Sequence, residues 1–219
     1  MVDLFAGVYT STAILAALHC RHTTGTGANI DMSLYDVATS MLANQGMNYL
    51  ASGTPPTRLG NAHPNIAPYQ VFQVKDGYVI LAVGNDRQFQ DCCQVLGADS
   101  CATDPEFQTN ASRVQSRRRL EELLSPLIAE WKRSDLLAAL EAKSVPAGPI
   151  NSVEDVFHDP QIIHRGMCQD LIGDDGAMVK TIASPIVMDG VRQSSDRASP
   201  KLGTANPGFS DPRPNRDPR

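Results

Sequence analysis

Asp3-Leu-Phe-Ala-Gly-Val-Tyr-Thr-Ser-Thr-Ala-Ile-Leu-Ala-Ala-Leu-His-Cys-Arg21 opens the chain, and its reading decides the fold. Small and aliphatic residues at Ala6, Ala13, Ile14, Ala16, Ala17 and Leu18, with no breaker after Gly7, predict a helix over Asp3–Arg21. Apolar residues take up most of its circumference, so it belongs between layers rather than on a wet surface. His19, Arg21 and His22 close the last turn, where cations suit the helix dipole, and Gly25 and Gly27 end it. A short strand is expected over Asn29–Met32, and a second helix from Ser33 to about Tyr49, capped by Ser33 or Asp36. The class is α/β. Two helices and one strand make no sheet layer, however, and the opening reads as half of something.

Turn formers follow: Gly53, Pro55, Pro56, Gly60, Asn61, Pro64, Asn65 and Pro68. Tyr69–Val74 and Tyr78–Val83 alternate as strands, joined at Lys75-Asp76-Gly77 in a hairpin. Helices are expected over Arg87–Leu96 and Arg113–Trp131, with a third capped by Ser134 and ending near Lys143. Val145–Ile150 reads as an extended link and Val153–Phe157 as a short helix capped by Ser152. A weak strand, Met178–Ala183, follows the Gly173-Asp-Asp-Gly176 turn. Beyond about Ser194, Ser, Pro, Asp, Arg and Asn dominate, and a disordered tail is expected.

The 219 residues suffice for a buried core, and 42% hydrophobic against 20% charged content excludes a wholly disordered chain. A net charge of −5 argues against bulk binding to nucleic acid or an anionic membrane. The longest unbroken apolar run, Ala13–Leu18, is far short of a bilayer span, and no basic region precedes it, so a soluble chain is expected. Five cysteines (Cys20, Cys92, Cys93, Cys101, Cys168) without a C-x-x-C pair argue against a disulfide framework or structural zinc, and for a reducing compartment. Metal ligands are not expected: His19 and His22 lack a carboxylate partner and read as a basic helix end. Arg117, Arg118 and Arg119 with Glu121 and Glu122 read as a solvated helix face.

Asp3-Leu-Phe-Ala-Gly-Val-Tyr, Ile14-Leu-Ala-Ala-Leu and Thr24-Gly-Thr-Gly-Ala-Asn-Ile-Asp-Met-Ser resemble the class III CoA-transferases, the carnitine-CoA transferase/bile-acid-inducible and formyl-CoA transferase type. The resemblance runs in order through Arg58-Leu-Gly-Asn-Ala-His-Pro, Ile66-Ala-Pro-Tyr-Gln-Val-Phe, Asp76-Gly-Tyr and Val145-Pro-Ala-Gly-Pro-Ile-Asn-Ser-Val. Asp159-Pro-Gln, Arg165-Gly-Met and Pro200-Lys-Leu-Gly continue it. Ala62-His63, Pro68-Tyr69-Gln70 and Thr109-Asn110 with Arg113-Val114 look most like the succinyl-CoA:dicarboxylate (glutarate) branch.

The resemblance implies an interlocked homodimer of subunits, each with a Rossmann-like large domain and a small α+β domain. Here residues 1–52 would end the large domain's first half, 53–165 form the small domain, 166–203 return to the large domain, and 204–219 form a disordered tail. The family's Rossmann-like segment ahead of the aspartate supplies most of the groups that hold CoA. Substrates would be an acyl-CoA and a carboxylic acid, with no tightly bound cofactor, no nucleic acid and no membrane partner. The compartment would be the cytoplasm, or the mitochondrial matrix if a targeting segment precedes.

Asp3 falls where the family has its nucleophilic aspartate. By the residues alone, a carboxylate at a helix start is stabilised as an anion, which also describes an ordinary N-cap. Ala6 and Gly7 are small enough for a ligand to approach, and backbone donors around them are the expected oxyanion groups. Gly60-Asn61-Ala62-His63-Pro64-Asn65 aligns with the glycine-rich substrate-covering loop of the formyl-CoA branch, with His63, Pro64 and Asn65 where that branch has glycines. His63 or Arg58 would donate to a distal carboxylate, unless the loop is merely a turn satisfied by its own Asn and His. Competing readings are an α-methylacyl-CoA racemase of the same fold, and a truncated fragment inactive alone.

Overall fold

The computed structural model describes residues 1–173 and 175–199. The chain divides into two compact units, Met1–Pro149 and Ile150–Arg219. The first unit opens with α1 (Val2–Thr24), α2 (Leu34–Ser40) and α3 (Ala43–Ser52). It continues with β1 (Tyr69–Val74), β2 (Gly77–Ala82), α4 (Asp86–Leu96), α5 (Asp99–Thr103), α6 (Asn110–Gln115), α7 (Arg117–Ala129), α8 (Arg133–Ala142) and β3 (Ala147–Ile150).

The core lies between one sheet face and three helices. β1 and β2 pair antiparallel from Tyr69↔Ala82 to Val74↔Gly77, and β3 adds to the far side of β2. Period-2 alternation sends Phe72, Val74, Val79 and Leu81 to one face. Against them α4 lays Phe89, Cys92, Cys93 and Leu96, α7 lays Leu120, Leu124 and Ile128, and α8 lays Leu136 and Leu140. These recur at three- and four-residue steps, the stripe an amphipathic helix presents to a sheet. What reads as an extended link is therefore the third strand, tied to β2 by Ala82 N–H on the Pro146 carbonyl (2.9 Å).

Arg113 is the buried exception. Its side chain is fully enclosed, donating from Nε to the Ala67 carbonyl (2.7 Å), from Nη1 to the Phe107 carbonyl (2.8 Å) and from Nη2 to Asp86 Oδ1 (2.8 Å). The guanidinium stacks 4.5 Å above the Phe89 ring. Each nitrogen has a partner, as a charge in a core requires.

The opening segment differs from expectation in three ways. Asn29–Met32 is extended but unpaired, since no neighbouring strand among the described residues receives it. The second helix is broken: α2, capped by Ser33 Oγ, ends at Ser40, and Ala43 at φ 47° turns the chain before α3 continues. Third, α1 is not buried between layers. Only Ala6 along it is buried, while Leu4, Val8 and Leu15 stand two-thirds exposed. Taken as a helix rather than an unbroken run, it also meets the length and composition of a bilayer span, with 23 residues and an 18-residue stretch of mean hydropathy 1.3.

Other boundaries move for local reasons. The helix expected over Arg113–Trp131 is two, α6 and α7, parted at Ser116. Ser134 does not cap α8; Lys132 is its N-cap residue, and Asp76 of the hairpin turn accepts the Arg133 N–H (2.7 Å).

The second unit holds α9 (Val153–His158), α10 (Pro160–His164), an antiparallel pair β4 (Cys168–Ile172) and β5 (Met178–Ile182), and a two-residue pair β6 (Val187–Met188) and β7 (Val191–Arg192). Ser152 and Asp155 form a reciprocal capping box on α9. Ala183 is the unit's one buried residue among those described. The tail departs from its expectation at the start: Arg197 bridges to Ile172, and Ser195 Oγ accepts the Arg197 N–H. The expected disordered segment 204–219 and the Pro200-Lys-Leu-Gly landmark lie outside the described residues.

Candidate active site

Asp3 sits at the second position of α1, not at its cap; Met1 is the N-cap residue and offers no side-chain bond. Its carboxylate is exposed, and among the described residues no hydrogen bond or ion pair holds it. Phe5 N–H already reaches the Met1 carbonyl (3.1 Å), so the amides of Ala6 and Gly7 are taken up by the helix ladder. They are not the free donors expected there; those are the amides of Val2, Asp3 and Leu4, one turn earlier. The Gly7 surface is open, with nothing within 4 Å of where a Cβ would stand.

The second cluster lies along the free edge of β1. His63 N–H donates to the Tyr69 carbonyl (2.9 Å), and Asn61 Oδ1 accepts the Val71 N–H (2.8 Å), so the loop covers an edge that would otherwise be bare. The His63 ring stacks on Tyr69, with centroids 5.1 Å apart and planes 11° off parallel. His63 Nδ1 accepts the Asn65 N–H (3.2 Å), and its Nε2 lies 3.3 Å from Asn44 Nδ2 on α3. Asn65 and Asn48 exchange two amide bonds, at 2.8 and 3.0 Å. Gly60, at φ 62°, makes the turn that returns the chain toward the strand, a conformation costly for other residues.

From beneath, α6 and α7 grip this loop. Asn110 accepts the Ala67 N–H (3.2 Å) and donates to the Asn65 carbonyl (2.8 Å), and Arg117 Nη2 donates to the Pro64 carbonyl (3.0 Å). Arg117 Nη1 is buried and has no hydrogen-bond partner among the described residues, and burial lowers the pKa of this guanidinium. The arginine row is therefore not one solvated face: Arg118 pairs with Glu122, Arg119 reaches Glu106, and Arg117 turns inward.

The structure thus brings together Asn61, His63 and Asn65, with Gly60 at the bend. Arg58 is exposed, and no hydrogen bond or ion pair among the described residues ties it or Asp3 to that cluster. Asn44, Asn48, Asn110, Arg113 and Arg117 are participants that sequence reasoning missed. A signal existed for two of them: counting back from Leu124 and Leu120 by seven places Arg117 and Arg113 on the buried stripe. The three buried thiols offer no rival nucleophile, since burial pushes Cys92 and Cys93 up to about 12 and also raises Cys101.

Comparison with known proteins carries these fragments further. The family model for CoA-transferase family III matches residues 1–206. A succinate–glutarate CoA-transferase of Agrobacterium fabrum is 47% identical over 203 residues, 93% of this chain and 51% of that protein. The mouse succinyl-CoA:glutarate CoA-transferase is 34% identical over 93% of this chain and 47% of its own length. The crystal structure of a CaiB/BaiF family protein from Brucella suis is 50% identical and superposes with a TM-score of 0.73, over 92% of this chain and 52% of that one. The chain spans about half the length of the curated relatives it matches. The α/β architecture is that of the class III fold, and the chain belongs to CoA-transferase family III.

Proposed function

We propose that this chain carries the nucleophile and the acceptor loop of a CoA-transferase that moves CoA from succinyl-CoA to a dicarboxylic acid. The observation that carries the reading is the 47% identity to a succinate–glutarate CoA-transferase through nearly the whole chain. The named relatives are transferases, which favours transfer over racemisation. A homodimer would supply the protein layer that the apolar faces of α1 call for.

Asp3 is the proposed nucleophile. Its carboxylate, in the first turn of α1, attacks the thioester carbonyl and expels CoA thiolate, forming a mixed anhydride. The thiolate attacks the Asp3 carbonyl and releases the first acid, leaving an aspartyl-CoA thioester. The acceptor carboxylate displaces the thiolate, and the thiolate then attacks the acceptor's carbonyl. That last cleavage leaves the bridging oxygen, which entered with the acceptor, on Asp3. First-turn amides of α1 would stabilise the oxyanions. Arg58 and His63 would bond the acceptor's distal carboxylate, with Gly60, Asn61 and Asn65 shaping the loop around it.

With ¹⁸O in the acceptor carboxylate, peptide mass spectrometry after single turnover should find one label on Asp3. Asp3→Ala should lose transfer by orders of magnitude. Turnover by that variant, or label found in the acyl-CoA and acid products but not on Asp3, overturns the assignment. His63→Ala should raise the acceptor's KM more than that of the CoA ester; an equal rise in both would remove His63 from acceptor recognition.

A further inference from the structure

We infer that Asn44 is a specificity-determining residue: its side-chain oxygen holds the place at His63 Nε2 that the acceptor's distal carboxylate takes over on binding. The inference rests on the reading of His63 as a donor to that carboxylate.

Which ring nitrogen carries the proton follows from one peptide group. The Pro64 carbonyl accepts from Arg117 Nη2 (3.0 Å), and the N–H of the same group, that of Asn65, donates to His63 Nδ1 (3.2 Å). A trans peptide points its carbonyl and its N–H in opposite directions, so α7, by holding the one, aims the other at the ring. Nδ1 is thereby the accepting nitrogen, and a neutral imidazole then carries its proton on Nε2. The Asn44 amide lies 3.3 Å from Nε2. Its oxygen and nitrogen exchange places by a half turn, and only the oxygen can meet an N–H. In the free protein the His63 proton is therefore engaged by Asn44, and an acid must displace that amide to reach it.

The amide is placed to give way. Asn44 is exposed, whereas the imidazole is half-buried and stacked on Tyr69, so Asn44 is the movable partner. Its side chain makes no other hydrogen bond among the described residues. Nor does the loop depend on it for its seat against α3: one turn further along the helix, Asn48 and Asn65 exchange two amide bonds, at 2.8 and 3.0 Å. A carboxylate is the better acceptor, since a charge-assisted hydrogen bond is roughly twice as strong as a neutral one. An acid with a second carboxylate gains by the exchange. A monocarboxylic acid has nothing to offer Nε2 and leaves Asn44 in place, so the contact favours dicarboxylic acceptors.

The test titrates the whole chain and its variants with glutarate and, as a control of equal carbon number, pentanoate. Asn44→Ala should tighten glutarate binding roughly two- to tenfold, the worth of one neutral hydrogen bond that no longer has to be broken, and leave pentanoate unmoved. Asn44→Asp, which keeps a carboxylate at Nε2, should weaken glutarate binding by roughly tenfold or more. Two-bond ¹H–¹⁵N correlations of the His63 ring should show the proton on Nε2 with and without glutarate. A merely supporting role for Asn44 would weaken glutarate binding in both variants. That result overturns the proposal, as does a proton on Nδ1 or an equal gain for pentanoate. If His63→Ala binds glutarate as tightly as the unsubstituted chain, the donor reading fails and the role of Asn44 with it. If His63→Ala loses affinity while Asn44→Ala gains none, only the role of Asn44 fails.

Discussion

Residues 69–149 and the opening helices α1–α3 are both rich in apolar side chains, yet only the first closes a core. Phe72, Val79, Leu81, Phe89, Leu124 and Leu136 are at most 3% exposed. On α1, Leu4, Val8 and Leu15 are 66–70% exposed. Hydrophobicity is therefore not what separates them. α4 and α7 carry one apolar stripe each and meet a sheet face of matching width, whereas α1 is apolar around most of its girth and needs cover from more than one side. The second unit resembles the opening helices here: β4 and β5 leave Ile172, Met178 and Ile182 exposed. Apolar side chains left exposed in this number are what the homodimer proposed above would cover.

The comparison breaks most sharply at paired leucines. Leu124→Ala empties a fully buried site and should cost about 2–5 kcal/mol in chemical denaturation, transfer loss plus cavity. Leu15→Ala, two-thirds exposed, should stay within about 0.5 kcal/mol in the monomeric chain and cost more only where the proposed homodimer covers α1. Equal losses would mean that α1 is covered in solution, and the contrast between the regions would vanish.

Cysteines sharpen it next. Iodoacetamide should modify the exposed Cys20 and Cys168 in the native protein and spare Cys92 and Cys93. Burial raises the latter two from an ordinary 9.0 to about 12. Between those values the unfolded chain binds fewer protons than the folded one, so stability falls as pH rises. The contribution is intact below about pH 9 and lost progressively toward 12, readable as a falling urea midpoint. A flat midpoint over that window would show both thiols to be accessible.

What was legible in the sequence follows the same division. The hairpin at Lys75-Asp76-Gly77, the Cys92-Cys93 helix and the Ser152 cap depend on neighbours within a few residues, and the structure has them. The strand expected over Asn29–Met32 needs a partner absent from the described residues, and β3 and β4 went unread because their partners, not their own composition, make them strands. At the candidate site, Asn61, His63 and Asn65 were visible as turn residues. Asn110 and Arg113 act on the Asn65–Ala67 backbone from more than 40 residues away; the helical stripe places Arg113 inward, but no local pattern names the backbone that either one reaches.

The smallest effect concerns the start of α8, where a local reading and a tertiary one compete. Ser134 was the expected cap, but it falls inside the helix and its hydroxyl goes to Asp135 Oδ1 (2.9 Å). Asp76 accepts the Arg133 N–H from the hairpin turn, 57 residues earlier. That bond supplies a carboxylate to a first-turn N–H and pins the β1–β2 turn to the helix. Asp76→Ala should therefore lower stability by about 1 kcal/mol, the ordinary value of a cap, and speed hydrogen exchange at the Arg133 amide. Ser134→Ala should change neither by more than about 0.5 kcal/mol, since its hydroxyl satisfies no helix-start amide. The reverse ranking would return the cap to Ser134 and detach the turn from α8. It would also make the closed region, at this point, a product of local sequence rather than of packing.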